Sequence, residues 1–237
     1  MVSASLALFA SAVHMVDVQP PTNLFNLPSY LEIVAVTTGA LTGALHATHR
    51  KLDPMGVMVV AICTGVGGGA IRDVLLNSGI PTFLVSPTLL ANAILAAAVA
   101  TLFARPMRQF TPVMSIVDTL VIGVWVVIGV QKALLVGLNP TAAMFVGVVA
   151  CSGGSLLRDL LCKTKPEVLQ PGTFFAAAAL AGAGAYIACA LLGAPTWVSI
   201  TATMVIATGL RAASAFFGWE TPVAPGLTEA AAVAPST

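Results

Sequence analysis

The sequence predicts an all-α fold: a polytopic membrane bundle of seven transmembrane helices, arranged as an inverted repeat of three helices plus a seventh. Three observations carry this. Of 237 residues, 58% are hydrophobic and only 8% are charged, against roughly 25% charged in an ordinary soluble domain. The apolar residues gather into seven stretches, each able to cross about 30 Å of hydrocarbon with about 20 helical residues. The second half of the chain also repeats the first at a constant offset of 86 residues. High hydrophobicity excludes disorder, and a net charge of +1 leaves no basic face for nucleic acid. The alternating ten-residue segments of a porin-type barrel are absent.

Residues 1–29 read as an amino-terminal extracytoplasmic segment. Met1–Val18 is apolar but lacks the Lys or Arg of a signal-peptide n-region, contains Asp17, and is followed by Pro20-Pro21. A short interfacial helix or an over-extended start fits it better than an eighth span. The seven-helix domain covers residues 30–217, with spans expected at 31–49, 54–79, 87–105, 115–136, 140–162, 172–193 and 196–217. Repeat one is 30–105, repeat two is 115–193, and the seventh helix is 196–217. Pro54 and Pro140 suit the first turn of the second and fifth spans, where a missing N–H costs nothing. The third and sixth spans are dominated by Ala and Gly, with Ala178/Gly182 and Gly184/Ala188 at the four-residue spacing of tight helix packing. The tail, 218–237, is rich in Ala and Pro and reads as disordered.

Six loop cations (Arg50, Lys51, Arg105, Arg108, Lys163, Lys165) follow the first, third and fifth spans. The other loops between spans carry none. The positive-inside rule therefore predicts an outside N-terminus and a cytoplasmic C-terminus.

The repeat is clearest where Thr64–Asn77 lies over Ala150–Lys163. Gly67, Gly68, Arg72 and Asp73 match Gly153, Gly154, Arg158 and Asp159; Gly43 lies over Gly129 and Glu32 over Asp118. An odd number of spans per copy inverts the second copy, an organisation typical of transporters and some channels. Successive glycines weaken a helix by about 1 kcal/mol each and permit kinks in the second and fifth helices that free backbone carbonyls. Such backbone survives at membrane depth only inside protein or against water. The pore candidates are Thr64, Gly67, Gly68, Gly69, Ser152, Gly153, Gly154 and Ser155, with close helix packing the competing explanation.

Ionisable groups at depth face partners or a wet path. Adjacent residues point about 100° apart on a helix, so the Arg and Asp of each motif are expected to find separate partners: Arg72 with Glu32, and Arg158 with Asp118. Snorkelling to headgroups competes with this pairing. Lys132 has His46 at its repeat position and stands without a charged counterpart, which makes it the candidate for an ion path, voltage sensing or outward snorkelling. Arg211 reads as a snorkelling anchor. Cys63, Cys151, Cys162 and Cys189 lie in apolar spans without CxxC spacing, and His14, His46 and His49 form no metal cluster. No catalytic group assembles, so the chain is not expected to be an enzyme or to hold a cofactor.

Two three-span repeats, each with Gly-Gly-x-x-x-Arg-Asp in its second helix, plus a seventh span, resemble the prokaryotic trimeric intracellular cation channels. The bacterial members were formerly labelled an uncharacterised or glycine-transporter-like membrane family. The resemblance covers residues 30–217. It implies a homotrimer with one pore per protomer, bounded by kinked second and fifth helices and conducting K+ with some Na+. It also makes Lys132, the basic residue of the fourth helix, the gating candidate. The Lys-Glu-Val lipid signature of the animal channels is absent, so inositol-lipid regulation and endoplasmic-reticulum residence do not carry over. The expectation is a K+-permeable channel of the bacterial inner membrane, with membrane lipids as its further partners. The alternative is a secondary transporter of a small amino acid such as glycine; a non-conducting scaffold would leave the Arg-Asp motifs unexplained.

Overall fold

In the computed structural model the described residues are 29–103, 111–169 and 175–218. They form α1 (Ser29–His49), α2 (Pro54–Leu75), α3 (Thr82–Val85), α4 (Pro87–Leu102), α5 (Thr111–Leu135), α6 (Pro140–Leu161), a 3-10 turn (Glu167–Leu169), α7 (Phe175–Leu191) and α8 (Thr196–Phe217). No strand occurs among the described residues. The expectations for the amino-terminal segment and the tail, and for His14, Arg105 and Arg108, fall outside the described residues, save for Ser29 and Gly218 at the edges.

Four helices combine the length and apolarity needed to cross a membrane: Pro54–Leu75, Asp118–Leu135, Pro140–Leu161 and Thr196–Phe217. Helices α4 and α7 are apolar but shorter, at 16 and 17 residues. Helix α1 has 21 residues, but Glu32, four threonines and two histidines dilute its apolar surface.

The local causes of the helices repeat with the sequence. Asp53 Oδ1 accepts from Gly56 N at 3.0 Å and Asn139 Oδ1 from Ala142 N at 2.8 Å, each just before a proline in the first turn. A side-chain acceptor at this position satisfies an otherwise orphaned N–H. At the other end, Asn77 and Lys163 adopt left-handed backbone (φ 49 and 53), and Ser78 N and Thr164 N bond back to Asp73 O and Asp159 O. That cap closes α2 at Leu75, four residues short of the expected span, and leads the chain into α3.

Packing follows the repeat as well. Helices α1, α2 and α4 touch pairwise, as do α5, α6 and α7; α2 meets α6 and α1 meets α5 across the repeat boundary, and α8 lies on α7 and α5. Gly43 fits against Ala61 and Thr64 of α2, and Gly129 against Gly147 and Ala150 of α6. Gly182 brings α7 onto Ala207 and Thr203 of α8, which gives the small-residue stripe of the sixth span a role in packing within the chain.

One buried polar contact ties α5 to α7. Gln131 Nε2 donates to Tyr186 Oη at 3.0 Å, with both residues almost fully buried. Interhelical hydrogen bonds in membrane proteins contribute about 0.6–2 kcal/mol. Tyr186→Phe is therefore expected to lower the thermal unfolding midpoint in detergent by a few degrees, and an unchanged midpoint would deny the bond any stabilising role.

Candidate functional site

Helices α2 and α6 run antiparallel and cross at their glycine clusters. A Cβ on Gly68 would run into the carbonyl oxygen of Ala150, and a Cβ on Gly154 into that of Thr64. Since Thr64 matches Ala150 and Gly68 matches Gly154 in the repeat, the crossing is two-fold symmetric. Gly67 faces Leu157 and Gly153 faces Ile71, another equivalent pair. Both helices run unbroken through these residues. The kinks expected from the glycines thus do not appear as breaks in helical structure; the missing side chains serve instead to bring two backbones together.

A cavity lies on each side of this crossing. One is bordered by Glu32, Gly69, Arg72, Asp73, Thr82 and Trp125 among others. The second is bordered by Thr64, Gly68, Asp118, Trp125, Gly154, Ser155 and Arg158 among others. Gly69 and Ser155 are repeat equivalents on opposite sides. The hydroxyls of Thr64 and Ser152 donate to Val60 O at 2.6 Å and Val148 O at 2.8 Å, and that of Ser155 to Ser152 O at 2.9 Å. Their lone pairs remain as acceptors.

The Glu32 vestibule holds a compact ionic cluster. Arg72 is fully buried; its Nε donates to Asp73 Oδ1 at 2.8 Å, and its Nη2 lies 2.7 Å from the same oxygen and 3.5 Å from Glu32 Oε1. The other Asp73 oxygen accepts from the backbone N–H and hydroxyl of Thr82, both at 2.8 Å, at the start of α3. Lys132 Nζ donates to Thr82 Oγ1 at 2.8 Å and stands 3.7 Å from Glu32 Oε1 and 3.8 Å from Asp73 Oδ1. The structure thus brings Arg72 and Glu32 together, and it corrects one expectation. Arg72 and Asp73 do pair within one motif, because the long guanidinium stem spans the angle between adjacent side chains. Lys132 keeps His46 as its repeat counterpart, and the antiparallel approach of α5 and α1 delivers its ammonium to the Glu32 end.

The opposite end mirrors this arrangement. Arg158 Nε donates to Asp159 Oδ1 at 2.8 Å, so the second motif also pairs internally. Asp118 and Arg158 border the same cavity. His46, the repeat equivalent of Lys132, places Nε2 at 4.0 Å from Asp159 Oδ1. Arg211 stacks over the Phe175 ring at 5.2 Å rather than reaching outward as an anchor. All four cysteines are free, and no group of metal-ligating residues forms among the described residues.

The sequence reading missed Thr82, His46 and Trp125. A signal for the last two was present: Glu32, Gly39 and His46 recur at seven-residue intervals, and so do their equivalents Asp118, Trp125 and Lys132. Seven residues are nearly two helical turns, which sets each triplet on one helix face. Thr82 lies beyond the matched stretch and gave no such signal.

A model of the family described as Glycine transporter matches residues 29–106 and 115–191, which coincide with the two repeats. The chain is 36% identical over 157 residues to the UPF0126 membrane protein of Deinococcus radiodurans, covering 66% of this chain and 73% of that one. It is 32% identical over 154 residues to the UPF0126 inner membrane protein YadS of Escherichia coli K12, covering 65% and 74%. Among solved structures, the TRIC trimeric intracellular cation channel orthologue from Rhodobacter sphaeroides superposes with a TM-score of 0.75 at 29% identity, over 81% of this chain and 98% of that one. A second TRIC cation channel superposes at 0.78 with 26% identity, over 83% and 97%.

Proposed function

We propose that this chain, which belongs to the family described as Glycine transporter, forms a monovalent cation channel permeable to K+ and Na+, with one pore in each protomer of a homotrimer. The observation that carries this reading is the pair of cavities at the α2–α6 crossing, each bordered by a carboxylate and an arginine of its own repeat. The similarity to TRIC cation channels supports it and motivates the trimer. In this reading α2 and α6 bound the pore, and α1, α2 and α4 to α8 all span the bacterial inner membrane. The loop cations set the N-terminus outside and the C-terminus in the cytoplasm. Membrane lipids surround the assembly.

The chemistry is that of carboxylates held in tension with guanidinium groups. Asp73 and Glu32 attract a cation to one mouth and Asp118 to the other, while Arg72 and Arg158 hold the local charge near balance. That balance favours weak discrimination among monovalent cations over tight binding, and conduction requires binding weak enough to release. Lys132, tied to Thr82 and close to Glu32 and Asp73, is the gating candidate. A transmembrane potential acts on a moved charge with about 2.3 kcal/mol per 100 mV, so one lysine biases a gate without making it steep.

Purified protein in planar bilayers is expected to give discrete single-channel K+ currents. Saturable glycine uptake without unitary currents would instead assign the chain to secondary transport of a small amino acid.

A further inference from the structure

We infer that the indole of Trp125 is the movable barrier between the two vestibules. The inference rests on the channel reading and adds to it a residue that sets how readily the path opens.

Trp125 borders both cavities, the one that contains Glu32 and the one that contains Asp118. It sits midway along α5 between Asp118 and Lys132 on one helix face. Its ring edge lies 3.8–3.9 Å from where a side chain on Gly69 would begin, at the end of the glycine cluster. The residue is only partly buried, and it packs against three separate hydrophobic clusters, at the junction of both repeats.

The wall between the vestibules has two components of different stiffness. At Gly68 and Gly154 it is backbone against backbone, and opening it there requires α2 and α6 to separate as rods. At Trp125 it is a side chain that borders both cavities, and side chains change rotamer far faster than packed helices shift. A bulky apolar ring between two cavities that hold charged groups acts by excluding water, which is how hydrophobic constrictions gate in general. The repeat equivalent of Trp125 is Gly39, which lies tight against Gly65 of α2. The two-fold arrangement therefore places one indole, and not two, at the neck.

The test is single-channel recording of wild type, Trp125→Ala and Trp125→Phe in planar bilayers under symmetric KCl, with size-exclusion and thermal profiles of each. Trp125→Ala is expected to raise open probability or unitary conductance by roughly fivefold or more, with Trp125→Phe between it and wild type. A folded Trp125→Ala that conducts like a conducting wild type, or less, overturns the barrier and leaves the channel reading standing. Silence of wild type and both folded variants overturns the channel reading and takes the barrier with it. Currents from Trp125→Ala alone support both. If the alanine variant does not fold, Trp125→Phe decides: raised conduction supports the barrier and unchanged conduction overturns it.

Discussion

Replacing Arg72 with methionine is expected to lower the stability of this protein by about 3–5 kcal/mol, the cost of stranding a buried carboxylate without its partner. The stranded group is Asp73, 1% exposed, whose Oδ1 takes both the Nε hydrogen bond and the closest Nη2 contact of Arg72. Lys132 at 3.8 Å is too distant to replace a bonded guanidinium. Glu32 is more exposed and lies 3.5 Å from Arg72, so Glu32→Gln is expected to cost far less. The decisive comparison is the double variant Arg72→Met with Asp73→Asn. Removing the second charge relieves what the first substitution stranded, so the two effects should fall well short of additive. Thermal unfolding in detergent of wild type, Arg72→Met, Asp73→Asn and the double variant closes the cycle. Additive losses would mean that the two side chains do not act as a pair.

An alanine at Gly68 or Gly154 is the second large perturbation. Each new methyl meets a backbone carbonyl oxygen, that of Ala150 or of Thr64, which no rotamer change can move aside. Overpacking of this kind costs about 1–3 kcal/mol and occasionally more. Because both methyls wedge the same crossing, the double variant should be less destabilised than the sum, since α2 and α6 have already parted for the first. Gly209 is the control: it lies in α8 with nothing within 4 Å of its added Cβ. There alanine exchanges a poor helix former for the best one, a gain of about 1 kcal/mol. If Gly68→Ala and Gly209→Ala unfolded at the same temperature, close approach would not explain the glycine clusters.

The residues differ in how far they could be read in advance. Glycine and proline speak through the backbone, so the helix starts at Pro54 and Pro140 were visible from composition alone. Repetition exposed the matched Arg-Asp motifs and, with them, the approach of Arg72 to Glu32. The Arg72–Asp73 pair escaped because a helical projection compares directions at Cα, whereas a guanidinium ends several bonds away. Lys132 escaped because its partners lie on α1, α2 and α3, brought to it only by the antiparallel packing of the repeats. The glycine clusters looked like breaks because sequence reports the cost of a missing side chain in a helix but not what another helix does with the room. Thr82 was silent, since only the cap at Asn77 turns the chain so that α3 starts against Asp73.

The equivalence of Lys132 and His46 has a consequence in electrical terms. At the Glu32 end two carboxylates face an arginine and a lysine. At the Asp118 end the carboxylates of Asp118 and Asp159 accompany Arg158 and the imidazole of His46, and Arg211 lies over Phe175, which borders the same cavity. A scaffold built as two matching halves therefore carries an ammonium at one end where the other has an imidazole. The two-fold relation between the halves is thus a symmetry of the backbone and not of the charge: turning the molecule over exchanges a lysine for a histidine.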